Sequence, residues 1–177
     1  RGLGARAYGD FSFLTNIFSQ ILPLLTLSTS LGFFTKLSKQ QNNLKLVSFY
    51  IQFTVIAFII LFFFVFVTDL TGTSRLLFID QKMIFVYMAA MYAVMTWSVQ
   101  IMNFVVDAFG FTVSTEIVKI IQKLFGALII VLLFVLHRMN LTNFFFYHYA
   151  ISFFIIIAFI KIIRSNNISL FQNWKLS

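Results

Sequence analysis

The sequence predicts an all-α fold, a polytopic transmembrane helix bundle of about five spans. Three observations carry this. Hydrophobic residues make up 60% of the chain and charged ones 10%, with a mean hydropathy of +0.96, and a soluble domain of 177 residues could not hide that much apolar surface. The few charges punctuate the chain, leaving charge-free runs at 11–35, 46–68, 83–106, 124–136 and 139–160. At 1.5 Å per residue, all but the run 124–136 are long enough to cross a hydrocarbon core of roughly 30 Å. The helix of that short run is expected to begin near Ser114 and to carry Glu116, Lys119 and Lys123 in its first turns. The spans are then 10–37, 46–68, 82–107, 114–136 and 141–163, in one helical unit over 1–177.

The first span is apolar enough to cross a membrane, yet polar residues interrupt it. At 100° per residue, Ser12, Asn16, Ser19, Pro23, Thr26 and Ser30 fall in a sector about 80° wide, forming one continuous line. Pro23 marks a kink site, which membrane helices tolerate. The second span, with "VIAFIILFFFVFV", is apolar all round, as expected of a helix whose outer face meets lipid. The third repeats the polar line with Tyr92, Thr96, Gln100, Asn103 and Asp107, flanked by Met88, Met91, Met95 and Met102. The fourth sets Glu116, Lys119 and Lys123 on one face. The fifth, with "FFIIIAFI", is again apolar over most of its length. Three helices are therefore expected to line something polar and two to pad them.

Two readings stand beside each other for the polar lines. Ser and Thr can bond their own helix carbonyls, and small polar residues mediate helix packing in membranes. Alternatively the lines face a wet cavity. Lys123 poses the same choice, because a cation at the centre of a span costs about 2.5–3.5 kcal/mol on insertion scales. It either snorkels or pairs with Glu116 or Asp107, or it lines a cavity.

Short polar connections separate the spans: "KLSKQQNNLK", "DLTGTSRLLFIDQK", "DAFGFTVST" and "HRMN". None reads as an interdomain linker, and no internal repeat is visible. Five spans put the ends on opposite sides. One side holds Lys36, Lys39, Lys45, Lys119, Lys123, Lys161, Arg164 and Lys175; the other holds Arg1, Arg6, Arg75, Lys82 and Arg138 with Asp10, Asp69 and Asp80. The positive-inside rule makes the first side cytoplasmic and the N-terminus external. An external N-terminus beginning at Arg1 leads to the expectation that an upstream helix precedes this chain.

Several function classes fall away. Without Cys there is no thiolate nucleophile, no disulfide framework and no Cys-based metal site. His137 and His148 lack nearby carboxylates in sequence, so they read as packing or interfacial residues and no metal or other cofactor is implied. The net charge of +8 does not point to nucleic acid, since the cations lie between apolar runs and not on a soluble basic face. No strained Ser elbow, His–carboxylate pair or Gly-rich phosphate loop is present, so the chain is not expected to be an enzyme.

The stretch "RGLGARAYGDFSFLTNIFSQILPLLTLSTSLGFFTKLSKQQ" combines an Arg, a Leu-Gly dipeptide, Ala-Tyr-Gly, an aromatic-Ser helix, a small-residue stretch and a basic loop. It resembles the second helix of polysaccharide flippases in the multidrug/oligosaccharidyl-lipid/polysaccharide exporter superfamily. The stretch "NFVVDAFGFTVSTEIVKIIQKLFG" is similar to that family's connection between its fourth and fifth helices. The resemblance implies two six-helix lobes facing each other across a cavity, of which this chain covers helices two to six of the first. It further implies a prokaryotic cytoplasmic (inner) membrane protein that moves a lipid-linked oligosaccharide, an isoprenoid pyrophosphate carrying sugars, by alternating access. Its partners would be that substrate, the bilayer and the second lobe of the same protein.

On this resemblance Ser12, Asn16, Ser19, Thr26, Thr96, Gln100 and Asn103 would line the cavity, while Arg6, Lys119 or Lys123 would meet the phosphate. Asp107, Glu116 or Lys123 would be the groups available for ion coupling. A drug or cation exporter of the same superfamily would instead want a buried carboxylate in its cavity, and here all the acids lie at span ends. A membrane enzyme of polysaccharide assembly would present large loops with His, Arg or Asp clusters. A non-transporting membrane subunit would use the polar lines for packing alone.

Overall fold

A computed structural model describes residues 2–25, 29–40 and 44–166. Its helices are α1 (Ala5–Leu25), α2 (Ser30–Lys39), α3 (Leu44–Leu70), the single turn α4 (Ser74–Leu77), α5 (Met83–Ala108), α6 (Thr112–Val135) and α7 (Leu141–Ser165). Among the described residues there is no strand. The helices α3, α5, α6 and α7 are each long and apolar enough to cross a membrane, and α1 with α2 makes a fifth candidate span. The chain is an all-α, multi-pass membrane helix bundle.

Local chemistry sets the helix ends. After α3 the chain turns at Gly72, whose φ of +70° suits a residue without Cβ, and Gly110 at +83° does the same between α5 and α6. At the start of α7 the Asn140 side chain accepts a hydrogen bond from the Asn143 backbone N–H at 2.8 Å, occupying one of the donors a helix start leaves open. The stretch 10–37, expected as one span, is divided: α1 and α2 stand at 56° to each other. Pro23 weakens α1 just before that division. Pro23 offers no N–H to the Ser19 carbonyl and its ring crowds that carbonyl, and α1 ends two residues later.

Helix α5 is the hub, packing against α7, α1, α3, α2 and α6. Its Ala89, Ala90 and Ala93 are buried, and their small side chains let neighbouring backbones come close. Close approach matters because lipid tails are as apolar as a protein core, so dispersion and interhelical hydrogen bonds must hold membrane helices together. Leu14 and Phe18 of α1, Leu61 and Val65 of α3, and Phe145, Phe159 and Ile163 of α7 fill the spaces around it. Polar ties reinforce the packing. Tyr149 Oη donates to the Met88 carbonyl at 2.6 Å, Gln81 Nε2 donates to Asp10 Oδ1 at 2.9 Å, and Tyr87 Oη donates to Asp69 Oδ2 at 3.2 Å. The first two contacts set the starts of α1, α5 and α7 side by side, so these three helices run parallel, and the third ties the start of α5 to the end of α3.

The expected division into three lining and two padding helices changes here. The apolar α7 is a central partner of α5 and α6, whereas α6 buries only Thr115 and Gly126. Gly126 is where α6 meets α7: a Cβ there would lie 3.0 Å from Ile151 Cδ1 and 3.1 Å from the Tyr147 hydroxyl.

Candidate polar cleft

The polar lines of the first and third spans meet. Asn16, Ser19 and Pro23 recur at steps of three and four along α1, and Tyr92, Thr96 and Gln100 at steps of four along α5, so each set shares one helix face. Because α1 and α5 run parallel and in contact, the two faces bound one cleft of about 630 Å³. Thr15, Asn16 and Ser19 line it from α1, and Thr96 and Gln100 from α5. Phe11, Tyr92, Ala93 and Trp97 form its apolar wall, and Ser30 and Leu31 of α2 close one end. Asn16 lies about 16 Å along α1 from Ala5, and Thr96 about 20 Å along α5 from Met83, so the cleft sits well inside both helices.

Its hydrogen bonding is asymmetric. Thr15 Oγ1 donates to the Phe11 carbonyl at 2.8 Å, Ser19 Oγ to the Asn16 carbonyl at 2.8 Å, and Thr96 Oγ1 to the Tyr92 carbonyl at 2.6 Å. Each hydroxyl thus uses its proton within its own helix and keeps lone pairs for anything in the cleft. The side-chain amides of Asn16 and Gln100 are exposed and make no hydrogen bond among the described residues. Trp97 is 6% exposed, and its buried Nε1 has no partner among the described residues. Behind the wall His148 stacks on Phe11 at 5.0 Å between ring centroids and lies 5.0 Å from Tyr92, so α7 buttresses the cleft through an aromatic cluster.

Of the residues singled out from sequence, Asn16, Ser19, Thr96 and Gln100 are brought together here. Thr26 lies outside the described residues. Ser12 and Asn103 are half-buried on the same helices but do not line the cleft, and Arg6 is exposed in the first turns of α1. Asn103 Oδ1 and Asp107 Oδ1 are buried near the end of α5 without partners among the described residues. The charged face of α6 stands apart: Lys119 pairs with Glu116 at 2.8 Å, Lys123 is exposed and takes neither expected acid, and none of the three reaches the cleft. Sequence reasoning missed Thr15 and Trp97. Thr15 sits 60° from Ser12 on the wheel, at the edge of the polar sector, and was legible as its flank; Trp97 carries no periodic signal of its own.

A second concavity of about 580 Å³ lies at the connection between α3 and α5, lined by Asp69, Ser74, Arg75, Asp80 and Gln81 among others. Among the described residues no group of three His, Asp or Glu side chains is placed to hold a metal ion. The chain matches no protein-family model, no curated protein and no solved structure.

Proposed function

We propose that the chain is most of one lobe of a two-lobe transporter that carries a lipid-linked oligosaccharide across a prokaryotic cytoplasmic membrane by alternating access. The observation that carries this reading is the cleft between α1 and α5, where two free side-chain amides and a row of hydroxyl oxygens lie at mid-helix depth. Amides aimed at acyl chains would be left without partners, which is unfavourable in hydrocarbon; against a hydrated sugar each finds them. The task is physical, not chemical. A polar headgroup must be sheltered from hydrocarbon while its lipid tail stays in the bilayer, and no covalent step is required. The resemblance of the α1–α2 and α5–α6 segments to polysaccharide flippases supports the same reading. Rocking of this lobe against a second one would pass the headgroup from one face to the other. Arg6 and Lys123, exposed and away from the cleft, are left to meet the pyrophosphate.

The test is export in cells. Replacing Asn16 and Gln100 together by Leu should lower surface polysaccharide on the order of tenfold, because headgroup hydroxyls lose their partners. The amount of protein in the membrane should stay unchanged. Undiminished export would assign the polar faces to helix packing, as in a non-transporting subunit.

A further inference from the structure

We infer that the cleft between α1 and α5 is a subsite for an uncharged, hydroxyl-rich group, a neutral sugar, and that it excludes carboxylate- and phosphate-bearing ones. The inference rests on reading the cleft as the place that receives the headgroup, and it specifies which part of the headgroup enters. Two independent features support it. The first is charge: among the described residues the lining contains no Lys, Arg, His, Asp or Glu. An anion entering such a cleft would leave water without meeting a cation, and desolvation of an unpaired charge is far more costly than that of a hydroxyl.

The second feature is the balance of donors and acceptors. Carboxylates and phosphates at neutral pH are acceptors and need N–H or O–H groups around them. Here Thr15, Ser19 and Thr96 have already given their protons to carbonyls of their own helices at 2.6 to 2.8 Å. What they offer is lone pairs. The Asn16 and Gln100 amides each add one acceptor oxygen as well as their N–H groups. Sugar hydroxyls, which both donate and accept, complement a surface that offers these lone pairs beside the N–H groups of Asn16, Gln100 and Trp97; an oxyanion could use only the N–H groups, would face the hydroxyl lone pairs unfavourably and would meet no cation. The Phe11, Tyr92 and Trp97 side chains give the wall an aromatic character suited to the apolar face of a pyranose ring. The pyrophosphate of a lipid carrier is accordingly held outside this cleft.

The experiment uses Trp97 as the reporter. The chain has two Trp residues, Trp97 and Trp174; Trp174 and any Trp elsewhere in the full-length protein are replaced by Phe, so that Trp97 reports alone. The full-length protein in lipid nanodiscs is titrated with three amphiphiles that share one short alkyl chain: a maltoside, a glucuronide and a phosphate monoester. Trp97 emission should respond saturably to the maltoside, with the glucuronide and the phosphate at least about tenfold weaker at pH 7. The response should vanish in the Asn16→Leu, Gln100→Leu double variant, which separates the cleft from general partition into the bilayer. Gln100→Lys should reverse the preference toward the glucuronide, and this gain cannot come from misfolding. Equal or tighter binding of either anion by the unmodified cleft overturns the inference, as does a maltoside response that survives loss of both amides. Loss of cellular export with maltoside selectivity intact leaves the subsite standing and removes the transport reading. Export with the anion preferred does the opposite.

Discussion

Tyr149 shows how a single polar side chain ties a membrane bundle. Its hydroxyl donates at 2.6 Å to the Met88 carbonyl, an atom already engaged in the α5 ladder, so it couples α7 to the hub without unwinding it. Tyr149→Phe should destabilise the bundle by about 0.6 to 1 kcal/mol, the usual size of such bonds between membrane helices. Thermal unfolding in detergent micelles would measure it. Gly126 works by absence. A Cβ there would stand 3.0 and 3.1 Å from the flexible ends of Ile151 and Tyr147, so Ala can be fitted by small shifts, whereas Leu must push α6 off α7. Gly126→Leu should therefore cost roughly 2 kcal/mol or more through overpacking, and Gly126→Ala clearly less. The same unfolding assay ranks the two. Glycine at this contact was visible in the sequence only as a small residue in an apolar run; which helix it admits is a matter of three-dimensional neighbours.

At the scale of elements, the break between α1 and α2 has a testable cause. Pro23 denies the Ser19 carbonyl its helical partner, and Pro23→Ala restores the missing N–H and removes the ring. If the 56° angle originates there, spin labels at Gly9 and Thr35 should move farther apart in the Ala variant, because a straighter pair of helices is longer end to end. The labels are easily placed, as the natural chain has no Cys. An unchanged distance would assign the bend to packing of α2 against α5 and α3. Helix α6 makes a complementary point about elements. Its Glu116, Lys119 and Lys123 share a face, as their spacing implies, and yet the Lys119–Glu116 pair satisfies itself along the helix. A polar stripe is a property of one helix; a polar site needs two.

For the whole molecule, the distribution of charge makes a topological prediction. Lys36, Lys39, Lys45, Lys119, Lys161 and Arg164 gather toward one end of the helices, with Lys123 one turn deeper at the middle of α6, and Arg75, Lys82 and Arg138 lie toward the other with Asp69 and Asp80. By the positive-inside rule, single Cys residues introduced at Thr73 and Arg138 should react with an impermeant maleimide on intact cells. Those at Lys39 and Lys161 should react only after the membrane is opened. The opposite pattern would invert the bundle and with it the direction from which a headgroup meets the cleft.

The all-α membrane class, the places where charges interrupt the apolar runs and the angular grouping of Asn16 with Ser19 and of Thr96 with Gln100 were determined by the sequence alone. Hydropathy and helical pitch are local properties, each readable within a few turns of chain. Only the tertiary structure decided that the α1 face meets α5 and that α6 stays outside, that Thr15 and Trp97 join the lining, and that apolar α7 packs against the hub. Periodicity fixes an angle about a helix's own axis, but the neighbour at that angle is chosen by packing among small residues and hydrogen bonds distant in sequence, such as Gln81 to Asp10 and Tyr149 to Met88.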